Sequence, residues 1–386
     1  MANRDLALER LPLGFEAFHG DAFLNDQLNR AHALGFADRD ELPAAAATIR
    51  SLGECAAAFG ALADRAEAEG RLRNATGYLR LSESFTPKRS GAGVPTYRRY
   101  RALFDRTLGD RGAVRHEVPY LHATLPAYRL PAAGPARGTV LVHGGFDSLI
   151  EEFYAIWERI AATGFDVIAF EGPGQGGARA LAGLTFDHDW ERPVAAVLDH
   201  FSIDRAAIVG ISMGGYWALR AAGREPRIDR VVSWPPVYDW LYQLPAPVRA
   251  VARRMLRLRR FMTWSIELRA RLFPVLRHVV DHTLYISGGR EPMHVADWLL
   301  GMNAEHLGSQ HVRQDVLLCA GEHDRFQPPV LARRQAAALT AARSVSMRVF
   351  TAAEHADSHC QMGNLELACQ SVTTWLRDGG PAVAGR

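Results

Sequence analysis

Gly210-Ile211-Ser212-Met213-Gly214 is a Gly-x-Ser-x-Gly pentapeptide. It follows the apolar run Ala206-Ala207-Ile208-Val209 and precedes the helix-like run Tyr216-Trp217-Ala218-Leu219-Arg220-Ala221-Ala222. A serine at a sharp strand-to-helix turn takes a strained backbone conformation, and flanking glycines are needed because a β-carbon there would collide with the neighbouring strand or helix. Such a turn lifts the hydroxyl to the top of a sheet. The same pentapeptide occurs in ordinary loops, and it is the strand before it and the helix after it that mark Ser212 as a nucleophile.

Working outward, short β-rich runs alternate with amphipathic helices. Val118-Pro119-Tyr120-Leu121 and Ala127-Tyr128-Arg129-Leu130 read as an antiparallel lead-in, and Thr139-Val140-Leu141-Val142 as the first fully buried strand. Asp166-Val167-Ile168-Ala169-Phe170, Ala207-Ile208-Val209-Gly210 and Arg230-Val231-Val232-Ser233 continue the series, with helices expected around 151–163, 190–201 and 213–222. Apolar runs of this length between amphipathic helices imply a parallel sheet covered on both faces. The expected fold is therefore α/β, a doubly wound and mostly parallel sheet.

Three regions follow from where this alternation starts and breaks. Residues 1–112 read as a helical N-terminal region, with Leu42 to Ala68 and Leu72 to Leu81 carrying apolar positions at helical spacing, and no chemistry is visible there. Residues 113–234 and 315–386 form the core, completed by the strands Val316-Leu317-Leu318-Cys319-Ala320 and Val345-Ser346-Met347-Arg348-Val349-Phe350. The segment 235–314 between them reads as an inserted helical cap, because so long a structureless loop inside a domain is unusual. Between Arg249 and Arg277 this cap carries nine arginines and one acid, Glu267. The leading reading is a cap helix with a solvated arginine face; recognition of an anionic substrate, an acidic carrier protein or a membrane surface is the alternative.

Composition narrows the class. The chain has 386 residues, 48% of them hydrophobic and 23% charged, which removes disordered and fibrous classes. A formal net charge of +3 is too small to imply nucleic-acid binding. Cys55, Cys319, Cys360 and Cys369 lack Cys-x-x-Cys spacing and scaffold density, so they read as reduced thiols. No signal-peptide core opens the chain and no run reaches about 18 apolar residues, so a cytoplasmic location is expected and membrane association is not. No metal-site spacing stands out: His355 and His359 are four apart but lack the Glu of a metalloprotease helix, and His188 between two aspartates is a weak ligand cluster. Gly172-Pro173-Gly174-Gln175-Gly176-Gly177 looks like a phosphate loop but lacks its Lys-Ser or Lys-Thr.

A serine hydroxyl near neutral pH needs a base within hydrogen-bond reach and an acid to orient that base. After the strand 316–320 comes Gly321-Glu322-His323-Asp324-Arg325-Phe326, a loop at the carboxyl end of a strand, where such sheets place functional groups. Asp324 is the expected acid and Glu322 the runner-up. After Phe350, His355 and His359 compete for the base; His359 is favoured because it stands just before a final helix expected to begin near Gln361. His143-Gly144-Gly145-Phe146-Asp147 follows the first buried strand, and its glycines let backbone N–H groups face a substrate oxygen. The expected oxyanion donors are Gly145 or Phe146, together with Met213.

Five stretches carry a specific resemblance: His143-Gly144-Gly145-Phe146-Asp147-Ser148 with Glu151-Glu152; Phe170-Glu171-Gly172-Pro173-Gly174-Gln175-Gly176; Asp189-Trp190-Glu191; Gly210 to Gly215; and His359-Cys360-Gln361. Together they resemble one subfamily of α/β hydrolases, which holds 2,6-dihydroxypseudooxynicotine hydrolase, fungal polyketide-shortening hydrolases and, more distantly, FrsA-like proteins. The match spans about 116–378. Glu171 departs from the Asp common there, and 235–314 does not align. The resemblance implies the α/β-hydrolase fold, paired N-terminal helices that help build the site and often a homodimer. It also implies hydrolysis, without a cofactor, of a carbon–carbon bond next to a ketone or of an ester, in a small hydrophobic or aromatic substrate. Asp239 and Tyr242, at the start of the cap, are candidate substrate-binding residues or structural ones. An acyltransferase or cyclase using the same triad, a non-enzymatic ligand receptor, and a peptidase of the prolyl-oligopeptidase type are the alternatives.

Overall fold

In the computed structural model, which describes residues 10–108 and 112–379, the short apolar runs assemble into one eight-stranded sheet. Five helices come first: α1 (Ala22–Ala33), α2 (Glu41–Ala46), α3 (Leu52–Ala68), α4 (Leu72–Phe85) and α5 (Gly93–Leu108). They pack around their own core of Phe59, Tyr78, Tyr97 and Tyr100. The segment 42–68, expected as one helical run, is interrupted between α2 and α3, where the Thr48 hydroxyl donates to the Ala45 carbonyl and closes the first helix.

The core runs β1 (Val114–Tyr120), β2 (Ala123–Leu130), β3 (Thr139–His143), α6 (Tyr154–Ala162), β4 (Asp166–Phe170), α7 (Gly176–Ala180), α8 (Glu191–His200), β5 (Ala206–Ile211), α9 (Gly214–Ala222) and β6 (Ile228–Trp234). Helices α10 (Ala246–Leu256), α11 (Arg259–Leu272), α12 (Pro274–Ser287), α13 (Met293–Gly301) and α14 (Ala304–Leu307) follow without a strand. Then come β7 (Asp315–Gly321), α15 (Pro329–Ala338), β8 (Ser344–Phe350) and α16 (Leu365–Asp378).

The strand order is β1-β2-β4-β3-β5-β6-β7-β8; β1, β2 and β4 pair antiparallel, and every later neighbour pairs in parallel. Alternation along the strands sends Val140 and Val142 to one face, with Trp157 and Trp375, and Leu141 to the other, with Trp190 and Trp217. Both faces are thus apolar and helix-covered. After β3 the chain crosses to β4 on one side and then returns to β5 on the other, so the order reverses between the carboxyl ends of β3 and β5. In open α/β sheets that crevice is where ligands bind.

All four cysteines are buried free thiols. No helix among the described residues is long and apolar enough to cross a membrane. The last helix starts at Leu365, capped by Asn364, rather than near Gln361, because Cys360 (φ 51°) and Gln361 (φ 56°) sit in left-handed backbone that cannot continue a helix.

Candidate active site

Ser212 follows the last residue of β5 and has φ 59°, a left-handed conformation rare for a residue with a side chain. The turn is held by Ser212 N donating to Trp234 O at 2.6 Å and Gly215 N donating to Ser212 O at 3.0 Å. A β-carbon on Gly210 would lie 2.1 Å from the carbonyl oxygen of Gly214, so no other residue fits where helix α9 folds back on its strand.

The Ser212 hydroxyl meets Nε2 of His359 at 3.0 Å, and Nδ1 of His359 meets Oδ2 of Asp324 at 2.8 Å. Asp324 is buried, and its Oδ1 accepts from the amides of Phe326 and Gln327, both at 2.8 Å. A carboxylate on Nδ1 puts the ring proton there and leaves Nε2 to accept from the serine. Burial works against a charge on His359, but the Asp324 carboxylate outweighs it and raises the imidazole pKa well above the ordinary histidine value. His355 and Glu322, the competing residues, stand apart: His355 is exposed, and Glu322 accepts from the Ala352 amide at 2.7 Å.

The loop after β3 lies against this turn. A β-carbon on Gly145 would come within 2.8 Å of Met213 N and 2.9 Å of Ser212 Cβ, so glycine is what lets the two segments touch. Of the two alternatives expected beside Met213, Gly145 donates its N–H to Ser148 Oγ at 3.1 Å. The Phe146 N–H has no hydrogen bond among the described residues. Met213 N lies 3.0 Å from the side-chain amide of Gln327, which with its oxygen toward Met213 and its nitrogen 3.0 Å from Pro235 O satisfies both neighbours.

Gln175, from the loop that looks like a phosphate site, acts here instead. Its Nε2 donates to Gly144 O and Gly145 O, each at 2.9 Å, while its oxygen accepts from Gly172 N at 3.0 Å. In a trans peptide the N–H points opposite to the C=O. Pinning the Gly145 carbonyl therefore aims the Phe146 N–H away from Gln175. On the next peptide, His282 of α12 donates from Nε2 to Phe146 O at 3.1 Å; burial holds that ring neutral, with its pKa pulled down to about 4.

Ser212 and His359 open onto a cavity of about 1260 Å³. Its walls come from three regions: Phe23, Asp26 and Arg30 of α1; Phe146 and Met213 of the core; and Trp240, Leu241, Met255, Met262 and Leu299 from the helices between β6 and β7. The N-terminal helices, where the sequence displays no chemistry, thus close one side of the site. They are tied in by Arg30, which bonds Asp147 at 3.0 Å and also Glu152, and by Asp26, which meets Arg325 at 2.8 Å. Burial disfavours the charge on Asp147, but Arg30 and Arg80 outweigh it and hold the carboxyl below the usual carboxylate range.

Asp239 and Tyr242 do not line this cavity. Asp239 turns inward to cap the 3-10 turn Trp240–Gln243, accepting from Leu241 N at 2.9 Å, and Tyr242 is stacked by Arg249 and Arg334. Their neighbours Trp240 and Leu241 take the wall positions instead. Gln175, Gln327 and Arg30 escape a sequence reading because each acts on a distant segment; the only local signal is that Gln175 sits among glycines.

The profile of the alpha/beta hydrolase fold family matches residues 140–359. A hydrolase, acrC, of Aspergillus aculeatus is 34% identical over 227 residues, covering 51% of this chain and 52% of that protein. The 20-hydroxy-prefusarin hydrolase FUS2 of Gibberella moniliformis is 35% identical over 213 residues, 48% of each chain. The chain thus spans about half the length of these relatives. Among solved structures, that of 2,6-dihydroxy-pseudo-oxynicotine hydrolase superposes with a TM-score of 0.64 at 21% identity, covering 92% of this chain and 98% of that one, which is a likeness of fold.

Proposed function

The chain belongs to the alpha/beta hydrolase fold family, and from that premise we propose that it is a serine hydrolase cleaving a carbon–carbon bond next to a ketone, or a carboxylic ester, in a hydrophobic substrate. The observation that carries this reading is the unbroken pair of hydrogen bonds, 3.0 and 2.8 Å, from Ser212 through His359 to Asp324 at the wall of a large cavity. Its similarity to a 20-hydroxy-prefusarin hydrolase supports hydrolysis as the outcome.

In the proposed reaction His359 Nε2 takes the hydroxyl proton as Ser212 Oγ adds to the substrate carbonyl carbon, and the carbonyl electron pair moves onto oxygen. The Phe146 and Met213 N–H groups receive that oxyanion; at Met213 the substrate oxygen takes the place of the Gln327 amide oxygen. When the carbonyl re-forms, the bond to the leaving group breaks with its electrons, and the departing carbanion or alkoxide collects the proton from His359. Water then adds to the acyl group with His359 again as base, releasing a carboxylic acid and restoring Ser212. A carbon leaving group is far poorer than an alkoxide, so C–C cleavage calls for a 1,3-diketone, a hydroxylated aryl ketone or a polyketide-like chain that delocalises the charge. The helices from Trp240 to Leu307 act as the cap that holds such a substrate and limits water.

The test is product analysis on matched 1,3-diketone, aryl ketone and ester panels with wild type and Ser212→Ala. Turnover of at least one class, lost in the variant, supports the reading. Equal turnover by the variant, or none by either protein across all classes, contradicts it.

A further inference from the structure

Helix α11 is apolar on two separate sides. Ile266 is buried and Met262 partly so, facing inward with Val280, Leu284 and Met293. Phe261, Trp264, Leu268 and Leu272 form a second stripe at helical spacing, and they are 48%, 57%, 40% and 64% exposed. At about 100° per residue the centre of this stripe lies roughly 135° around the helix from that of the buried one. An inward stripe is what folding requires; the outward one is left uncovered among the described residues.

Exposed apolar side chains are not confined to this helix. Among the described residues, eight of the sixteen exposed large apolar side chains fall between Val248 and Phe273. So concentrated an apolar surface marks an interaction site rather than the usual scatter. One edge is basic: Arg260 and Arg271 border the stripe there, and with Arg253, Arg254 and Arg257 they are exposed and have no ion pair among the described residues, whereas Arg259 pairs with Asp297. A solvated arginine face accounts for these cations but not for Trp264 and Phe261 between them.

We propose that the outer face of α10 and α11 docks onto an anionic lipid surface. The apolar stripe inserts at the level where headgroups meet acyl chains, and the unpaired arginines meet the headgroups. Charge complementarity selects this occupant. A second copy of the chain would set one array of unpaired arginines against another. The inner faces of the same helices carry Met255, Leu256 and Met262 into the cavity wall, so a docked surface lies about one helix diameter, roughly 10 Å, from the cavity. The docking holds whatever reaction the cavity performs.

The experiment is flotation of the full chain with vesicles of phosphatidylcholine plus phosphatidylglycerol, and with phosphatidylcholine alone, beside sedimentation to read oligomeric state. Wild type is expected to float with the anionic vesicles only. Arg257→Gln with Arg260→Gln should weaken partitioning by about thirtyfold, from roughly 1 kcal/mol per cation near such a surface. Trp264→Ser with Leu268→Ser should weaken it by about tenfold or more, and both pairs should keep wild-type circular dichroism. Absence of flotation, flotation unchanged by either pair, or a wild-type dimer that the Trp264→Ser and Leu268→Ser variant converts to monomer would overturn the proposal, the last by showing that a second copy covers the face. No arm depends on cleavage, so failure of docking and failure of the hydrolase reading are separately visible.

Discussion

Asp324 holds His359 by one carboxylate oxygen at 2.8 Å and spends the other on the amides of Phe326 and Gln327, so the imidazole is oriented by a group that is itself fixed. Asp324→Asn keeps the shape but presents an amide that cannot enforce the same tautomer. The expected loss in kcat is about 10⁴-fold with folding unchanged, checked by steady-state kinetics and circular dichroism. A loss below about tenfold would remove Asp324 from the relay.

The same pairing has a pH signature. Because the folded pKa of His359 is raised, kcat/KM should climb with pH through an inflection above the ordinary histidine value of about 6.5. For stability, the contribution of this group is fully present below the unfolded pKa and lost as pH rises through the folded one. Asp324→Asn should move any residual inflection downward. An unshifted inflection would show that another group titrates.

Gln175 is predicted to set the loop that carries the Phe146 N–H. Gln175→Leu leaves the Gly145 carbonyl without its side-chain donor and the Gly144 carbonyl with His143 Nδ1 alone, at a cost of about 1–3 kcal/mol in stability. It should also lower kcat by about 10- to 100-fold, less than direct removal of an oxyanion donor. Urea unfolding and kinetics read the two effects. Wild-type kcat in a destabilised variant would limit Gln175 to a structural role.

Arg30→Met tests the tie between the N-terminal helices and the core. It leaves Glu152 with Arg80 but takes from the Asp147 carboxylate the cation that now bridges the two acids. Removing one partner of such a cluster costs about 3–5 kcal/mol, and KM should rise because α1 lines the cavity. A change below about 1 kcal/mol would mean that α1 is held by its apolar contacts alone.

Much of the fold was legible because its signals are local. Four- to six-residue apolar runs mark strands buried on both faces, and the glycines around Ser212 report a turn that admits nothing larger. The candidate site was legible to the same depth, since Ser212, Asp324 and His359 each end a recognisable strand-loop unit. What was hidden is long-range. Arg30 meets Asp147 across 117 positions and Asp26 meets Arg325 across 299, and no spacing rule encodes such pairs. Gln175 was hidden differently: its loop invites a phosphate reading, while its side chain serves a segment 30 residues earlier. Asp239 shows the converse, because a carboxylate at the mouth of the insertion was more useful to its own turn than to the cavity.

Glu171, an acid where the resembling subfamily favours a shorter one, accepts from Gly177 N at 2.6 Å and Ile150 N at 3.2 Å. Burial pushes its pKa up to about 7 even so. A raised folded pKa means stability that is fully present below the unfolded value and lost as pH rises through about 7. Glu171→Gln should flatten that decline, seen as converging or crossing urea midpoints between about pH 5 and pH 8. Parallel curves would show that Glu171 does not titrate in this range.

The central claim is that Ser212 is a nucleophile activated by His359, and covalent trapping reads it most directly. Whole-chain and peptide mass spectrometry after treatment with a fluorophosphonate should find one adduct, on Ser212. That adduct should be absent in Ser212→Ala, formed at least about 10³-fold more slowly in His359→Ala, and formed at the wild-type rate in His355→Ala. An adduct on another residue, or labelling of Ser212 that ignores the loss of His359, would contradict it.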